Sequence, residues 1–560
     1  MTSACRQCSS AFEITPEDRV LLKELSPAYG GKAYEIPVPD LCPRCRMQVR
    51  LARRNERFLY HRKCDLTGKQ IISCYSTDKP FPVYENDEWY SDKWDAREHG
   101  ADIDFGKPFF GQFAALQSRV PRMARILERP YENSDYCNTA SQVKNCYLLF
   151  SSNQDEDCYY GSWINQCDSC VDNLNLEQCE LCYECVGCRD CYALRYCRDC
   201  VNCRDSFFLR DCQGCAHCFG CTNQVNKQYV IFNEQKTKER YEEFLERVNT
   251  GKHSEVQHAR ERIETMLADP VVKEMHGVGN ENCDGDYLRN CKNAVWCFEC
   301  NNVEDCRYCQ CLQNGKSSMD HTYWGQGSEL VYFCQACGYD PYHLLFCNLC
   351  WHGCSDLLYC DHSFSSKNCF GCSGLRKSEF CILNKQYTQE EYEELVPKVI
   401  AHMRSTGEWG QFFPPGISVY AYNETLAQEH VPMTKEEVLA RGWQWLDEEA
   451  PEKKYLGPAY EIPDDIADAD DEICARILHC EATGKPFKII PQELKFLRQQ
   501  RIPIPRLHPD ERHRRRLMLR NPRKLWKRNC AKCKKEIQTT YAPERPEIVY
   551  CESCYLSTVY

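Results

Sequence analysis

The chain has 560 residues, of which 45 are cysteine, and a formal net charge of −12. This length predicts roughly three to five domains, and the negative charge argues against indiscriminate binding of nucleic acid by the whole surface. No run of about 18 apolar residues predicts a membrane span. The first residues lack the basic and apolar segments of a signal peptide, so we expect a cytoplasmic protein with reduced thiols, in which paired cysteines indicate metal ligands or buried thiols.

The N-terminal segment, residues 1–95, carries two cysteine pairs. Cys5 and Cys8 form one Cys-x2-Cys knuckle, and Cys42 and Cys45 form another. Two such knuckles supply four thiolates to a tetrahedral zinc ion, and a site with all four positions filled is typical of structural rather than catalytic zinc. A second ribbon begins at Cys64, where Thr67, Glu85 and Glu88 stand at the other ligand positions, so we interpret this second site as degenerate.

The C-terminal segment, residues 474–560, repeats this twin-ribbon module, but here the first metal site is the degenerate one. Its second site is intact, with Cys530, Cys533, Cys551 and Cys554, while its first site is reduced to Cys480, Thr483, His508 and Glu511. The spacing from Cys45 to Cys64 equals that from Glu511 to Cys530. We therefore expect two structural zinc ions, one in each module, and treat Cys480 with His508 as a weak candidate site.

Both modules contain an arginine-rich segment. One interpretation is a solvated face, and the alternative is a surface that binds RNA, DNA or an acidic protein, because arginine contacts phosphate through two parallel hydrogen bonds. An acidic linker, Glu461–Glu472, precedes the second segment and offers an intramolecular counter-charge. The candidate residues are Arg50, Arg53, Arg54, Arg57, Arg514, Arg515, Arg516, Arg520 and Arg523.

The middle of the chain is dominated by a cysteine ladder in residues 133–250. Between Cys137 and Cys221, 17 cysteines all fall on a three-residue grid, with a superperiod of about 12 marked by an acid or amide residue before cysteine. A period of three matches neither a strand nor a helix. It favours short stacked coils with small residues inside, that is, a β-solenoid. Two alternatives stay open, thiolate clusters holding several zinc ions and an iron–sulfur centre.

Residues 280–405 form a second ladder. The Cys-Phe-Gly-Cys step at 218–221 recurs at 369–372, an offset of 151, and each ladder is followed by a predicted helix that begins after Thr237 or Thr388. The grid breaks between Cys311 and Cys347, and the pairs inside or beside this break have zinc-like spacing. These weak candidate ligands are Cys334, Cys337, Cys347 and Cys350.

The predicted fold class is thus a multidomain, mainly β protein with few helices, in which zinc-ribbon modules at both ends flank a duplicated, cysteine-rich, β-solenoid-like middle. Three connecting segments complete the organisation. They are an aromatic connector at 96–132, a helical linker at 251–279 and a loop with an acidic linker at 406–473.

With these parts located, the whole chain resembles a group of uncharacterised cysteine-repeat proteins with terminal zinc ribbons, common in candidate-phylum, ultra-small bacteria. The resemblance implies terminal zinc sites but no activity, and it implies cysteine at several positions where this chain has Thr, Glu or His. The matching stretches are Arg54–Arg57, Lys63–Lys69, the two Cys-Phe-Gly-Cys steps, Ile382–Tyr387 and Cys530–Tyr555.

Three functional hypotheses follow from the sequence. The leading one is a zinc-binding, non-enzymatic scaffold or adaptor that docks nucleic acid or an acidic partner through its arginines. The second is that the ladder stores metal, as further zinc or as copper(I), or senses oxidants through its thiols. The third is a zinc- or iron–sulfur-dependent enzyme, for which no catalytic residues are identified.

Overall fold

The computed structural model describes residues 2–266, 270–447 and 460–559. Over these residues the chain is mainly β with twelve α-helices, and its middle is a β-solenoid of about 21 turns. The predicted fold class is confirmed. The helices are α1 (Pro16–Glu24), α2 (Pro43–Leu51), α3 (Asn86–Tyr90), α4 (Phe109–Gln117), α5 (Lys238–Arg247), α6 (His253–Met266), α7 (Gln389–Ser405), α8 (Leu426–His430), α9 (Lys435–Ala440), α10 (Pro491–Gln500), α11 (Pro509–Met518) and α12 (Glu552–Val559).

Each coil of the first ladder is built from residue triplets, which explains the grid of three. Asp157 has a left-handed φ of 51°, Cys158 is fully buried inside the coil, and Tyr159 pairs in parallel with Val171, twelve residues further on. A left-handed residue at every third position turns the chain through a corner, so one residue in three faces inward and four triplets complete a coil. Asn and Asp tolerate this conformation better than most residues, which accounts for the acid or amide that precedes many cysteines.

The strands of the N-terminal module and the connector are β1 (Thr2–Ala4), β2 (Ala11–Glu13), β3 (Ala28–Tyr29), β4 (Lys32–Ala33), β5 (Tyr60–Lys63), β6 (Gln70–Ser73), β7 (Val83–Tyr84) and β8 (Arg122–Met123). Those of the first ladder are β9 (Leu127–Glu132), β10 (Asn138–Lys144), β11 (Phe150–Asn153), β12 (Ser162–Asn165), β13 (Leu174–Glu177), β14 (Tyr192–Arg195), β15 (Arg204–Phe207), β16 (Val230–Ile231) and β17 (Glu234–Gln235).

The strand between the ladders is β18 (Val271–Lys273). The second ladder contains β19 (Gly277–Val278), β20 (Gly285–Asp286), β21 (Leu288–Arg289), β22 (Cys297–Phe298), β23 (Gln310–Gln313), β24 (Met319–Gln326), β25 (Tyr332–Gln335), β26 (Gly338–Tyr339), β27 (Tyr342–Leu345), β28 (Ser355–Leu358), β29 (Lys367–Phe370), β30 (Glu379–Ile382) and β31 (Lys385–Gln386). The C-terminal module adds β32 (Leu478–His479), β33 (Pro486–Phe487), β34 (Trp526–Asn529), β35 (Glu536–Thr539) and β36 (Ile548–Tyr550).

The break in the second grid comes from coils of 13 residues. Thr322 pairs with Gln335, Gln335 with Asn348 and Asn348 with Asp361, each 13 residues apart, before the spacing of 12 returns. These three extra residues change the offset of the duplication. Equivalent residues of the two ladders are 151 apart at the Cys-Phe-Gly-Cys steps but 148 apart in the earlier coils. The offset of 151 found in the sequence therefore applies only to the end of the ladders.

Both ladders end as predicted. The parallel coils give way to a short antiparallel hairpin, β16–β17 in the first ladder and β30–β31 in the second, and a helix follows each. The Thr237 side chain caps α5, and Thr388 forms a reciprocal capping box with Glu391 at the start of α7. Tyr392 and Val396 of α7 lie buried in the same core as the last coils.

The connecting segments agree with the prediction in part. The connector at 96–132 contributes α4, whose Phe109 packs edge-to-face against Tyr359 of the second ladder. The predicted helical linker at 251–279 is helical only in α6 and becomes strand at β18, with residues 267–269 outside the described part. Residues 448–459 of the predicted linker at 406–473 also lie outside it.

Each terminal module contacts the ladder that is farther from it along the chain. The β7 strand of the N-terminal module pairs with β8, just before the first ladder, whereas α2 of the same module packs on β24 of the second ladder. The C-terminal module does the reverse, because β36 pairs with β18 before the second ladder while α11 packs on β13 of the first. Each module therefore joins both ladders.

Candidate metal centres

The hairpins and helices of the terminal modules bring each predicted cysteine tetrad together. Cys5 and Cys8 lie on the turn between β1 and β2, and Cys42 and Cys45 lie at the start of α2. Cys530 and Cys533 lie on the β34–β35 turn, and the last two cysteines stand at the start of α12. Within each tetrad (Cys5, Cys8, Cys42, Cys45, and Cys530, Cys533, Cys551, Cys554) all four sulfur atoms lie within 4.8 Å of one another.

The sulfur distances suit a tetrahedral zinc ion. A Zn–S bond of about 2.3 Å places the sulfurs of a tetrahedron about 3.8 Å apart. Cys8 Sγ lies 3.7 Å from Cys42 Sγ, and Cys533 Sγ lies 3.6 Å from Cys551 Sγ. These separations are far longer than a disulfide bond, and all eight cysteines are free. The donor set therefore fits a borderline-soft divalent ion such as Zn²⁺.

A backbone N–H group donates to a cysteine sulfur in both tetrads. The Cys42 N–H donates to Cys5 Sγ and the Cys551 N–H donates to Cys530 Sγ, each at 3.3 Å. Burial acts to raise the pKa of Cys530, but the backbone N–H groups of Cys533 and Cys551 outweigh it and lower the pKa to about 6. The backbone around Cys530 thus favours the thiolate form of this one ligand.

The two degenerate ribbons keep the same local fold. The Glu85 N–H donates to Cys64 Sγ at 3.3 Å, and the backbone of His508 hydrogen-bonds Cys480 in the same way. The His508 ring does not complete a site with Cys480, because its Nδ1 accepts the Asp510 N–H at 3.1 Å and caps α11. Among the described residues, neither Cys480 nor His508 belongs to a group of three or more close ligand atoms.

The weak candidate ligands of the second ladder occupy the inner wall of 13-residue coils. Cys347 lies one coil beyond Cys334, and its N–H donates to Cys334 Sγ at 3.1 Å. The Cys334 thiol donates to the Leu344 carbonyl at 3.3 Å, and the thiols of Cys337, Cys347 and Cys350 also donate to carbonyls. Their zinc-like spacing arises from the coil period, and the described residues contain no close ligand group formed by these four.

The first-ladder thiols show the same pattern. The Cys179 thiol donates to the Glu177 carbonyl in its own triplet at 3.3 Å and faces the Cys188 carbonyl of the next coil at 3.6 Å. A thiolate has no proton for such contacts. Burial raises the pKa of Cys158 to about 11 and that of Cys137 to about 12. Of the three close ligand groups in the described residues, two are the terminal tetrads and the third contains no cysteine.

Most of the predicted nucleic-acid-binding arginines are buried against the solenoid. Arg50 of α2 pairs with Asp320 at 2.8 Å, and Arg516 of α11 pairs with Asp172 at 2.8 Å. Arg54 lies 4.7 Å above the ring of Tyr323. Buried side chains of this kind present no surface to phosphates, so the expectation of an exposed basic patch is corrected for Arg50, Arg53, Arg54, Arg516, Arg520 and Arg523.

The other three candidates lie nearer the surface. Arg57 is only 12% exposed in its side chain and stacks over Phe150 at 4.8 Å. The side chains of Arg514 and Arg515 are more than half exposed, but both pair with Glu511. The charges of these two exposed guanidinium groups are thus partly neutralised by Glu511 of the same helix.

Sequence reasoning missed the acidic partners of these arginines. Asp172 and Asp320 are fully buried at corners of the ladders, and Glu299 receives both Arg520 and Arg523. One signal was present in the sequence. Tyr160 and Asp172 are 12 residues apart, as are Tyr308 and Asp320, which marks the 148-residue offset. Arg512 stacks over Tyr160 and Arg46 over Tyr308, at 4.5 and 4.8 Å.

Comparison with known proteins adds no assignment, because no family model and no curated protein matches the chain. In the parts of the chain that the structure describes, every helix is too short or too polar to cross a membrane.

Proposed function

We propose that the protein is a zinc-stabilised, non-enzymatic scaffold. In this proposal, one Zn²⁺ ion in each terminal tetrad folds a zinc-ribbon module, and the two modules hold the two ladders of the solenoid together. The observation that carries the proposal is the pair of four-cysteine groups with sulfur separations of 3.7 and 3.6 Å. Structural zinc sites of this kind contribute folding free energy directly, because the unfolded chain has no preformed site.

The crossed docking of the modules supports a structural role for that zinc. The Cys42–Cys45 knuckle lies at the start of α2, and the same helix carries Arg46 and Arg50 to Asp320 of the second ladder. A zinc ion that fixes the start of α2 thereby fixes the position of both guanidinium groups. The module consequently acts as a clamp whose closure depends on metal.

The hydrogen bonding of the ladder argues against metal storage. Its thiols donate to backbone carbonyls, as Cys185 does to Tyr183 and Leu194 at 3.4 and 3.5 Å. Loading the ladder with zinc would require ionising these thiols and abandoning those hydrogen bonds. The resemblance to cysteine-repeat proteins with terminal zinc ribbons agrees with this division of roles, and we propose it as the relationship of this chain.

Amide hydrogen exchange with and without zinc tests the proposal. We expect chelation to accelerate exchange in α2, in the β34–β35 hairpin and in the ladder strands they contact, while interior coils exchange slowly in both states. Retention of full protection throughout the modules after complete zinc removal would contradict a zinc-dependent clamp. The matched control is a Cys480→Ser variant, which alters a ribbon without an intact tetrad.

A further inference from the structure

Two aspartates are stacked on one corner of the first ladder. Asp199 and Asp211 occupy the left-handed corner position on consecutive coils, with φ of 54° and 53°. Their side chains are only 5% and 16% exposed. Two carboxylates in this arrangement repel each other, and the repulsion is not screened as it is in bulk water. A cation between them would relieve it.

The chain segment that leads into the second ladder places a histidine opposite this pair. His276 Nε2 lies 3.9 Å from Asp199 Oδ2 and 3.8 Å from Asp211 Oδ1. Both distances are too long for a hydrogen bond. The three ligand atoms nevertheless lie within 4.8 Å of one another. They therefore surround a small space in which His276 Nε2 makes no direct hydrogen bond to either aspartate.

Surrounding residues fix the orientation of the imidazole. His276 Nδ1 lies 3.0 Å from Asp286 Oδ1, and Asp286 Oδ2 accepts a hydrogen bond from Thr540 Oγ1 at 2.6 Å. A carboxylate only accepts hydrogen bonds, so Nδ1 carries a proton, and Nε2 is the ring nitrogen that faces the two aspartates. This carboxylate–histidine arrangement is the usual support of a metal-binding histidine.

The two aspartates are oriented as well. The Tyr287 hydroxyl donates to Asp199 Oδ1 at 2.9 Å, and the Tyr287 ring stacks on His276 with centroids 4.5 Å apart. Arg198 Nε donates to Asp199 Oδ2 at 2.9 Å, and Arg210 Nε lies 3.4 Å from Asp211 Oδ2. The Asp211 oxygen nearest Nε2 is Oδ1, whereas Arg210 approaches Oδ2.

We propose that Asp199, Asp211 and His276 bind a third divalent ion, of the first-row transition class represented by Zn²⁺. Bonds of about 2.0–2.2 Å to nitrogen and oxygen place tetrahedral ligands about 3.4 Å apart, so the ligands must close by roughly half an ångström. Three protein ligands leave a fourth position for water. The ion would connect the first ladder to the start of the second, and through Asp286 and Thr540 to the C-terminal module.

The fold itself does not require a histidine at this position. Ile126 is the counterpart of His276 before the first ladder. Its N–H donates to Asn138 Oδ1 at 2.9 Å, as the His276 N–H donates to Asp286 Oδ1 at 2.7 Å. The carbonyls of both residues accept an N–H from the following coil at 3.1 Å. The same backbone geometry therefore forms around an isoleucine, and among the described residues a close ligand group is found at His276 but not at Ile126.

The test is a zinc titration of the full-length protein by calorimetry, begun with both cysteine tetrads loaded. We expect one further saturable site per chain in the wild type. The site should be lost in the His276→Gln and Asp211→Asn variants and kept in Asp190→Asn, which changes an aspartate at another left-handed corner. Cysteine-tetrad occupancy, followed by zinc–thiolate absorption, should not change in any of them, which separates this proposal from the zinc scaffold.

A second measurement does not depend on the variants folding. Zinc-edge anomalous scattering from crystals of the wild-type protein should give a peak between His276 Nε2 and the two carboxylates. The proposal is overturned if the wild type shows neither a further saturable site nor that peak, since His276 then acts only as a charged partner of the aspartates. A further site that persists with unchanged affinity in a folded His276→Gln variant overturns it equally.

Discussion

Arg50 and Arg516 occupy equivalent positions in the two terminal modules, and each pairs at 2.8 Å with an aspartate of the ladder on which its helix docks. Arg50 Nη1 reaches Asp320 Oδ1, and Arg516 Nη1 reaches Asp172 Oδ1. All four side chains are nearly or fully buried. The two contacts are related by the repeat of the terminal modules and the repeat of the ladders, so the protein has two copies of one clamp, each joining a module to the ladder farther from it along the chain.

Removing one acidic partner should strongly destabilise its clamp. Asp172→Asn leaves the guanidinium group of Arg516 without its carboxylate and leaves Arg512 paired with Glu493 alone. Breaking a buried ion pair in this way costs about 3–5 kcal/mol of the free energy of unfolding. Chemical denaturation should show this loss, and Asp320→Asn should produce a similar one. Asp157→Asn, at a corner of the same ladder as Asp172, should change the free energy of unfolding by no more than about 0.5 kcal/mol. A loss in Asp157→Asn as large as that in Asp172→Asn would contradict the clamp.

The intact and degenerate ribbons should respond differently to the same substitution. Cys533→Ser should remove one sulfur-bound zinc ion and lower the melting temperature of the C-terminal module, because Cys533 belongs to a complete tetrad. Cys480→Ser should leave the zinc content unchanged and lower the free energy of unfolding by about 1 kcal/mol, since its sulfur is hydrogen-bonded to Thr483 and backbone groups and belongs to no tetrad. Metal analysis together with thermal unfolding measures both. Zinc loss in Cys480→Ser would show that the degenerate ribbon binds metal.

Cys158, on the inner wall of the first ladder, should react slowly with alkylating reagents. A pKa of about 11 for Cys158 leaves roughly one thiol in a thousand ionised at pH 8, and the side chain is fully buried. In zinc-free native protein, Cys8 and Cys533 should be modified first because both are exposed. Peptide mass spectrometry after timed alkylation follows each site. Comparable rates for Cys158 and Cys533 would mean that the ladder is open to solvent.

Acid should remove the stabilisation that the ionised Glu299 side chain gives to the folded protein. Burial acts to raise the pKa of Glu299, but Arg523 and Arg520 outweigh it and lower the pKa to about 2. The value in the unfolded chain is about 4.3. Because the folded-state pKa is depressed, the contribution is complete above about pH 4.3 and disappears as the pH falls towards 2; it amounts to about 3 kcal/mol.

Comparison with Glu299→Gln isolates this contribution. The difference in unfolding free energy between wild type and variant should be largest near neutral pH and shrink steadily below about pH 4. Measuring the difference between the two proteins cancels the acid-driven release of zinc, which both undergo. A difference that is constant across this range would show that Glu299 is not ionised in the folded protein.

The sequence was sufficient for the repeat architecture and the two tetrads. The three-residue grid follows from local geometry, since left-handed corners recur at every third residue of the coils, as Asp157 does just before the inward Cys158. Cys-x2-Cys knuckles are likewise local. The crossed docking could not be predicted, because it depends on contacts such as Arg50 with Asp320, 270 residues apart. The interpretation of the arginines as an exposed patch was wrong because their partners are also distant in sequence. The sequence does not show that these side chains meet buried carboxylates.

The zinc environment of anaerobically purified wild-type protein tests the central claim most directly. Total zinc analysis combined with zinc X-ray absorption gives the number of sulfur-bound zinc ions per chain. We predict two, each with four sulfur ligands at about 2.3 Å, with the ladder cysteines remaining as thiols. Sulfur-bound zinc well above two per chain, or ions bridged by shared sulfurs, would place metal inside the ladder and contradict the account.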